Sequence, residues 1–206
     1  MKKILLKVIA LSAMLTLCGC TAIASESHSY LIASMGFDKQ GDVITATVEA
    51  VAINSEDDTG KKRILLSGQG STPKEAMQKA ESKATQPFNL SHCGVIVLGK
   101  GLNDSDFESV CDYLYDTDEI TFSVYMLAAV NARRLLKAEP VSSVAAGYDL
   151  MSIINKESKK NNRNFRNSLY EVVAEKNRKD GRVELPFFIL DEEYRVLDGL
   201  AVYENF

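Results

Sequence analysis

The chain has 206 residues, 46% hydrophobic and 25% charged, with Lys+Arg 24 against Asp+Glu 28 and a formal net charge of −4. That balance belongs to a folded globular domain and excludes disordered, collagen-like and polytopic membrane chains. The acidic excess also argues against a nucleic-acid partner, because neutralising phosphates needs a surplus of Lys and Arg on at least one face.

The first segment is the most specific. Lys2, Lys3 and Lys7 form a basic stretch, and residues 8–17 are a mostly apolar run, the two parts of a secretory signal peptide. That run is too short to cross a hydrocarbon core of about 30 Å, which takes roughly 20 helical residues. Leu17-Cys18-Gly19-Cys20 follows directly. It has the form of a bacterial lipobox, with an apolar residue at −3, a small one at −1 and a cysteine at +1. Cleavage after Gly19 would leave Cys20 at the new N-terminus, where its thiol can carry a diacylglyceryl group. Two or three acyl chains exceed the marginal membrane binding of a single chain. The expected organisation is a signal peptide over 1–19, a lipidated tether over 20–29 and a folded domain over 30–206, in which a subdivision can fall near residue 140. The mature protein would be held at the extracytoplasmic face of a membrane.

Residues 30–37 are a mostly apolar strand candidate, and Asp38-Lys39-Gln40-Gly41 supplies turn chemistry. Residues 42–53 then alternate. Ile44, Ala46, Val48, Ala50 and Ala52 lie on one face, with Thr45, Thr47 and Glu49 on the other, which predicts a half-buried strand. Residues 54–60 read as an acidic loop and 63–68 as a third strand. Thr72-Pro73-Lys74-Glu75 is a capping box with proline at the first helical position, predicting a helix over 73–85. The run 94–98 is apolar on both faces, as a central strand should be. Ser105 to Glu108 reads as a second capping box, opening a helix that carries Cys111 beside Phe107, Val110 and Leu114. Residues 122–130 predict another strand, Asn131 caps a short helix over 132–137, and Pro140 breaks it.

Beyond Pro140, Val144, Ala145, Tyr148 and Met151 recur at helical spacing, and Phe165, Leu169, Val172 and Val173 do the same. The polar, basic stretch 156–164 between them reads as a solvated connector. Residues 183–190 and 194–203 return to strand. Together these elements predict an α+β fold: a mixed, mainly antiparallel sheet with flanking helices, plus a C-terminal helical pair and strand pair.

Candidate chemistry is sparse. His28 lies in the tether and His92 at the mouth of a buried strand, neither at metal-ligand spacing from other ligand types. No nucleophile elbow, zinc-protease motif or true P-loop is present. Residues 67–72, Ser-Gly-Gln-Gly-Ser-Thr, resemble a phosphate cradle, but a strand-to-helix turn explains them more simply. The acidic pairs Asp57-Asp58 and Glu192-Glu193 fall in loops. Cys93 and Cys111 both read as core residues, as free buried thiols or as a disulfide, and neither spacing suits redox or zinc chemistry. No catalytic residue, cofactor-binding residue or metal ligand is assigned, and Cys20 is the sole predicted site.

Leu31-Ile32-Ala33-Ser34-Met35-Gly36-Phe37-Asp38, then a hairpin strand, then Gly70-Ser71-Thr72-Pro73-Lys74-Glu75-Ala76, then Leu90-Ser91-His92-Cys93-Gly94-Val95-Ile96-Val97-Leu98-Gly99 appear in fixed order. With the lipobox, this order resembles the N-terminal region of Ger(x)C spore-germination lipoproteins, the C subunits of nutrient germinant receptors. Weaker likeness extends over residues 114–119 and through Leu185-Pro186 to Gly199-Leu200-Ala201-Val202-Tyr203. The resemblance implies a lipoprotein on the outer face of the spore inner membrane, assembled with a polytopic A-type and a transporter-like B-type subunit, without catalysis or cofactor. It puts Gly36, Phe37, Asp38 and His92 at family motif positions, with roles in the fold or in subunit docking. The family's C-terminal half would follow where this chain ends. An alternative function is a surface lipoprotein that captures a small solute or a cell-wall component.

Overall fold

The computed structural model describes residues 29–52, 62–165, 167–176, 178 and 181–204. Eight strands form one mixed sheet in the order β3-β2-β1-β5-β6-β7-β8, with the short β4 also pairing with β1. β1 (Tyr30–Gln40), β2 (Val43–Ala52) and β3 (Lys62–Gly70) are an antiparallel meander at one side, and β7 (Arg182–Asp191) and β8 (Tyr194–Glu204) an antiparallel hairpin at the other. Between them β1, β5 (Val95–Gly99), β6 (Tyr125–Ala129) and β7 run parallel, while β4 (Phe88–Asn89) lies parallel to the start of β1. The antiparallel ladders are long and the parallel ones short, in keeping with the predicted α+β class.

Helices cover both faces. α1 (Pro73–Glu81), α2 (Asp104–Tyr115) and α5 (Leu169–Lys176) pack on one side, and α3 (Ala132–Lys137) and α4 (Ala146–Asn161) on the other. The central strands serve both layers through their period of two: Ile96 and Leu98 of β5 face the first, Val95 and Val97 the second. All of β5 is buried, as its unbroken apolar run predicts.

Sequence and structure differ at several points. The β1–β2 turn contains only Gly41 and Asp42, with β1 running on through Gln40, because Gly41 adopts a φ of +59° that a two-residue hairpin turn accepts. β2 is not half-buried. Thr47 and Glu49, on its predicted polar face, are 1% and 0% exposed beneath the second helical layer. The second capping box sits two residues earlier than predicted. Asn103 accepts from the Asp106 N–H at 2.9 Å and Asp106 accepts from the Asn103 N–H at 3.0 Å, while Lys39 of β1 donates to Asp106 at 2.6 Å. α1 ends at Glu81 rather than residue 85, leaving the following residues to turn back beside β1, where the Tyr30 N–H donates to the Pro87 carbonyl at 3.0 Å. Most of the predicted connector 156–164 is the end of α4, closed by Asn162 in the left-handed conformation at φ 48°. Asn131 caps α3 as expected, accepting from the Arg134 N–H at 2.6 Å.

Candidate functional site

The Gly36-Phe37-Asp38 motif lies near the end of β1 and organises both layers. A Cβ at Gly36 would come within 2.9 Å of the Ala132 Cβ, so the missing side chain lets α3 lie against the strand. Phe37 points to the opposite side, fully buried and edge-on to Tyr113 at 6.2 Å. Asp38 accepts from the Ala132 and Arg133 N–H groups, both at 2.8 Å. These are orphan donors of the first turn of α3, which a carboxylate satisfies well. Burial raises the Asp38 carboxyl above its ordinary range, with the two backbone N–H groups and Arg133 pulling the other way. The motif is therefore a seat for α3. His92, the other motif residue, ends a single turn of 3₁₀ helix (Leu90–His92) and is exposed.

Beside that seat lies a buried polar centre. Glu49 of β2 is completely buried and accepts four hydrogen bonds: Arg63 Nε at 2.7 Å, Ser34 Oγ at 2.7 Å, and the Ala146 and Gly147 N–H groups at 2.7 and 2.9 Å. α4 has no side-chain cap of its own, since Ala145 holds the N-cap position. Glu49 supplies that cap from the sheet, and its negative charge also suits the positive end of the helix dipole. Gly147 makes this approach feasible, because a Cβ there would lie 2.8 Å from the Ser34 Cβ and 2.9 Å from the Ala33 carbonyl oxygen.

Arg63 and Arg195 extend the centre to the end of α3. Arg63 donates to the carbonyls of Leu136 and Ala138, and Arg195 of β8 to those of Leu135, Ala138 and Glu139. Those of Leu135, Leu136 and Ala138 are helix-end acceptors that helix geometry leaves unpaired, and Glu139 follows directly after them. Asp149 lies 3.7 Å from Arg195 and accepts from the Val141 N–H at 2.6 Å and from Ser142 Oγ at 2.8 Å. Burial opposes its ionisation, but the bonds from Val141, Ser142 and Ser143 prevail and hold its carboxyl below the usual range. Burial also lowers the Arg195 guanidinium. Among the described residues, no buried side-chain nitrogen or oxygen lacks a partner. The charged groups of the centre tie α3, α4 and the segment between them to β2, β3 and β8 of the sheet.

Sequence reasoning placed Glu49 on the solvated face and passed over Arg63, Asp149 and Arg195. The available signal was a lone carboxylate within the apolar run Val48 to Ala52. A charge there has to be solvated or paired.

The remaining candidates resolve simply. Residues 67–72 are a strand-to-helix turn. Cβ atoms at Gly68 and Gly70 would strike α1 at 2.2 Å (Ala76 O) and 2.7 Å (Ala76 N), and Thr72 and Glu75 already occupy the helix start. Cys93 and Cys111 are buried free thiols, each pushed up to about 12 by burial. Glu192, at φ 55°, and Glu193 are exposed at the β7–β8 turn. No group of metal-ligating side chains occurs among the described residues. Concavities of about 310 Å³ beside α5 and β7 and about 340 Å³ between α1 and α2 are open to solvent. Cys20, His28 and the pair Asp57-Asp58 lie outside the described residues.

The architecture is thus a three-layer α+β domain whose internal charges hold its own helices in place. The chain belongs to a spore-germination family: the model of the spore germination protein N-terminal domain matches residues 28–189. That span takes in the Gly36-Phe37-Asp38 motif, His92, the Glu49–Arg63 pair and Asp149, and ends within β7; Arg195 and β8 lie beyond it. No curated protein and no solved structure matches the chain. No helix among the described residues is long and apolar enough to cross a membrane.

Proposed function

We propose that this chain is a membrane-anchored lipoprotein subunit of a spore nutrient-germinant receptor, acting through protein–protein contacts and without catalysis. The family match over residues 28–189 carries the proposal. The lipobox supports the anchoring: Leu17-Cys18-Gly19-Cys20 would leave Cys20 as the acylated terminus, shortly before the first strand opens at Tyr30. A tether from Cys20 to Tyr30 reaches at most about 35 Å at full extension, so the domain would stay close to the bilayer. Polytopic A-type and B-type subunits at the same membrane are the partners in this scheme.

Cys20→Ala tests the anchor. The variant should accumulate unprocessed or leave the membrane fraction, and wild-type fractionation with cleavage at the same bond would overturn the lipoprotein assignment. Deleting the gene tests the receptor role. Nutrient-triggered germination should be impaired while germination by agents that bypass receptors is unaffected, and an unchanged nutrient response would overturn that role.

A further inference from the structure

Three of the exposed aromatic side chains are gathered at one place. Tyr115 closes α2, Phe122 lies in the loop before β6, and Tyr170 stands in the first turn of α5; they are 56%, 46% and 67% exposed. The Tyr115 and Phe122 rings lie 5.5 Å apart at 50°. The Tyr170 N–H donates to the Phe122 carbonyl at 3.0 Å, so the backbone of the third aromatic is anchored to the same loop, with its side chain exposed beside it. Single exposed apolar residues are ordinary, but a cluster supplied by three separate elements marks an interaction site.

The surroundings of the cluster are acidic. Asp116, Asp118 and Glu119 lie in the segment joining Tyr115 to Phe122 and are exposed, the last two bordering the groove between α1 and α2, where Glu119 accepts from the Leu90 N–H at 3.1 Å; nearby Lys176 is already held by Glu108 and Asp112 at 3.0 and 2.8 Å. Aromatic anchors inside a charged rim are the usual layout of a protein-binding hot spot.

We propose that Tyr115, Phe122 and Tyr170, with the acidic residues beside them, form a docking surface for a basic polypeptide segment carrying apolar anchors. Charge decides between this occupant and an anionic lipid surface: Asp116, Asp118 and Glu119 repel headgroup phosphates and attract Lys and Arg. Position agrees. β1, β5 and β6 are parallel, so Phe122, just before β6, lies at the same end of the sheet as Tyr30, where the chain enters the domain. With a lipid at Cys20, the tether would hold that end within about 35 Å of the bilayer, the zone into which extracytoplasmic segments of a polytopic protein emerge. The inference deepens the partner-binding role proposed above and rests on it for the existence of such a partner.

The test uses the purified full chain and three labelled synthetic peptides of one length, read by fluorescence anisotropy: Lys/Phe, Glu/Phe and Lys/Ser. The Lys/Phe peptide should bind about tenfold tighter than either of the others, a difference of about 1.4 kcal/mol. Phe122→Ser and Tyr170→Ser should each lose about tenfold, whereas Val196→Ser, on the far edge strand, should lose nothing. Asp116→Lys with Asp118→Lys should transfer the preference to the Glu/Phe peptide, a gain that misfolding cannot produce. Equal binding of the three peptides, or wild-type affinity in Phe122→Ser, would overturn the proposal. So would a Phe122→Ser variant that loses partitioning onto phosphatidylglycerol vesicles while keeping peptide affinity, since the surface would then be a lipid contact. A failed gene-deletion test would leave these affinities intact, so the two ideas fail separately.

Discussion

Replacing Glu49 with glutamine keeps the shape of the side chain and removes the charge on which the buried centre depends. Glu49 Oε1 accepts from Arg63 and the Ala146 N–H, and Oε2 from Ser34 and the Gly147 N–H. An amide can accept at one of these positions only. Ser34 can rotate its hydroxyl to accept from the new NH₂ group, but the Gly147 N–H then loses its partner. An unpaired buried donor costs about 1–3 kcal/mol. Arg63, whose side chain is 14% exposed, also loses its counter-charge. Breaking a buried ion pair costs about 3–5 kcal/mol, and the lower end applies here because Arg63 keeps its carbonyl partners and the more distant Glu139 at 3.6 Å. These costs overlap, giving a loss of about 3–5 kcal/mol out of a typical 5–15. The thermal midpoint of a chain this size should fall by roughly 6–20 °C. Denaturant and thermal unfolding of wild type, Glu49→Gln, Glu49→Leu, Arg63→Leu and the double leucine variant would measure it. The double variant should be less destabilised than the sum of its singles by about 2 kcal/mol, since neither charge is then left alone. A Glu49→Gln loss below about 1 kcal/mol, or an additive cycle, would refute the claim that this pair holds α4 on the sheet.

Gly68→Ala should cost about 1–3 kcal/mol by overpacking, because the added methyl meets α1 backbone at 2.2 and 2.3 Å, and chemical unfolding would show it. Asp149 has a folded pKa below its ordinary 3.8, so its contribution to stability is present above that pH and lost as pH falls below it. Asp149→Asn should therefore flatten the acid limb of a stability–pH curve, and an unchanged limb would show that the Val141, Ser142 and Ser143 bonds do not favour the ionised form. Cys93 and Cys111 should resist a thiol reagent at neutral pH until denaturant opens the core, since burial holds both at about 12. Prompt native-state labelling of either would contradict its packing.

Much of this domain was legible because the signals are local. Thr72 with Pro73, and Asn131 before Ala132, announce helix starts through side chains that reach only three residues along the chain. The unbroken run at β5 announces a strand covered on both faces. The order of short motifs carried the family, and the family model confirms it over residues 28–189. The start of α2 was misplaced by two residues because two overlapping local signals compete, Ser105 with Glu108 and Asn103 with Asp106; the chain uses the second, whose Asp106 also accepts from Lys39 of β1. Alternation along β2 suggested a solvated face, since a polar side chain in a strand is usually answered by water, and nothing local reveals that a helix will answer it instead.

The amino-acid sequence by itself determined most of the strands, the capped starts of α1 and α3, the class of fold and the family, because periodicity, capping and motif order act over a few residues. Only the tertiary structure decided where the charges go. Glu49, Arg63, Asp149 and Arg195 come from positions up to 146 residues apart, and gather because the end of α3, the start of α4 and the segment between them present backbone groups that these side chains bond. The meeting of Tyr170 with the Tyr115–Phe122 pair has the same origin: Tyr170 of α5 comes from 48 residues beyond Phe122 and is brought beside the loop before β6 only by the fold.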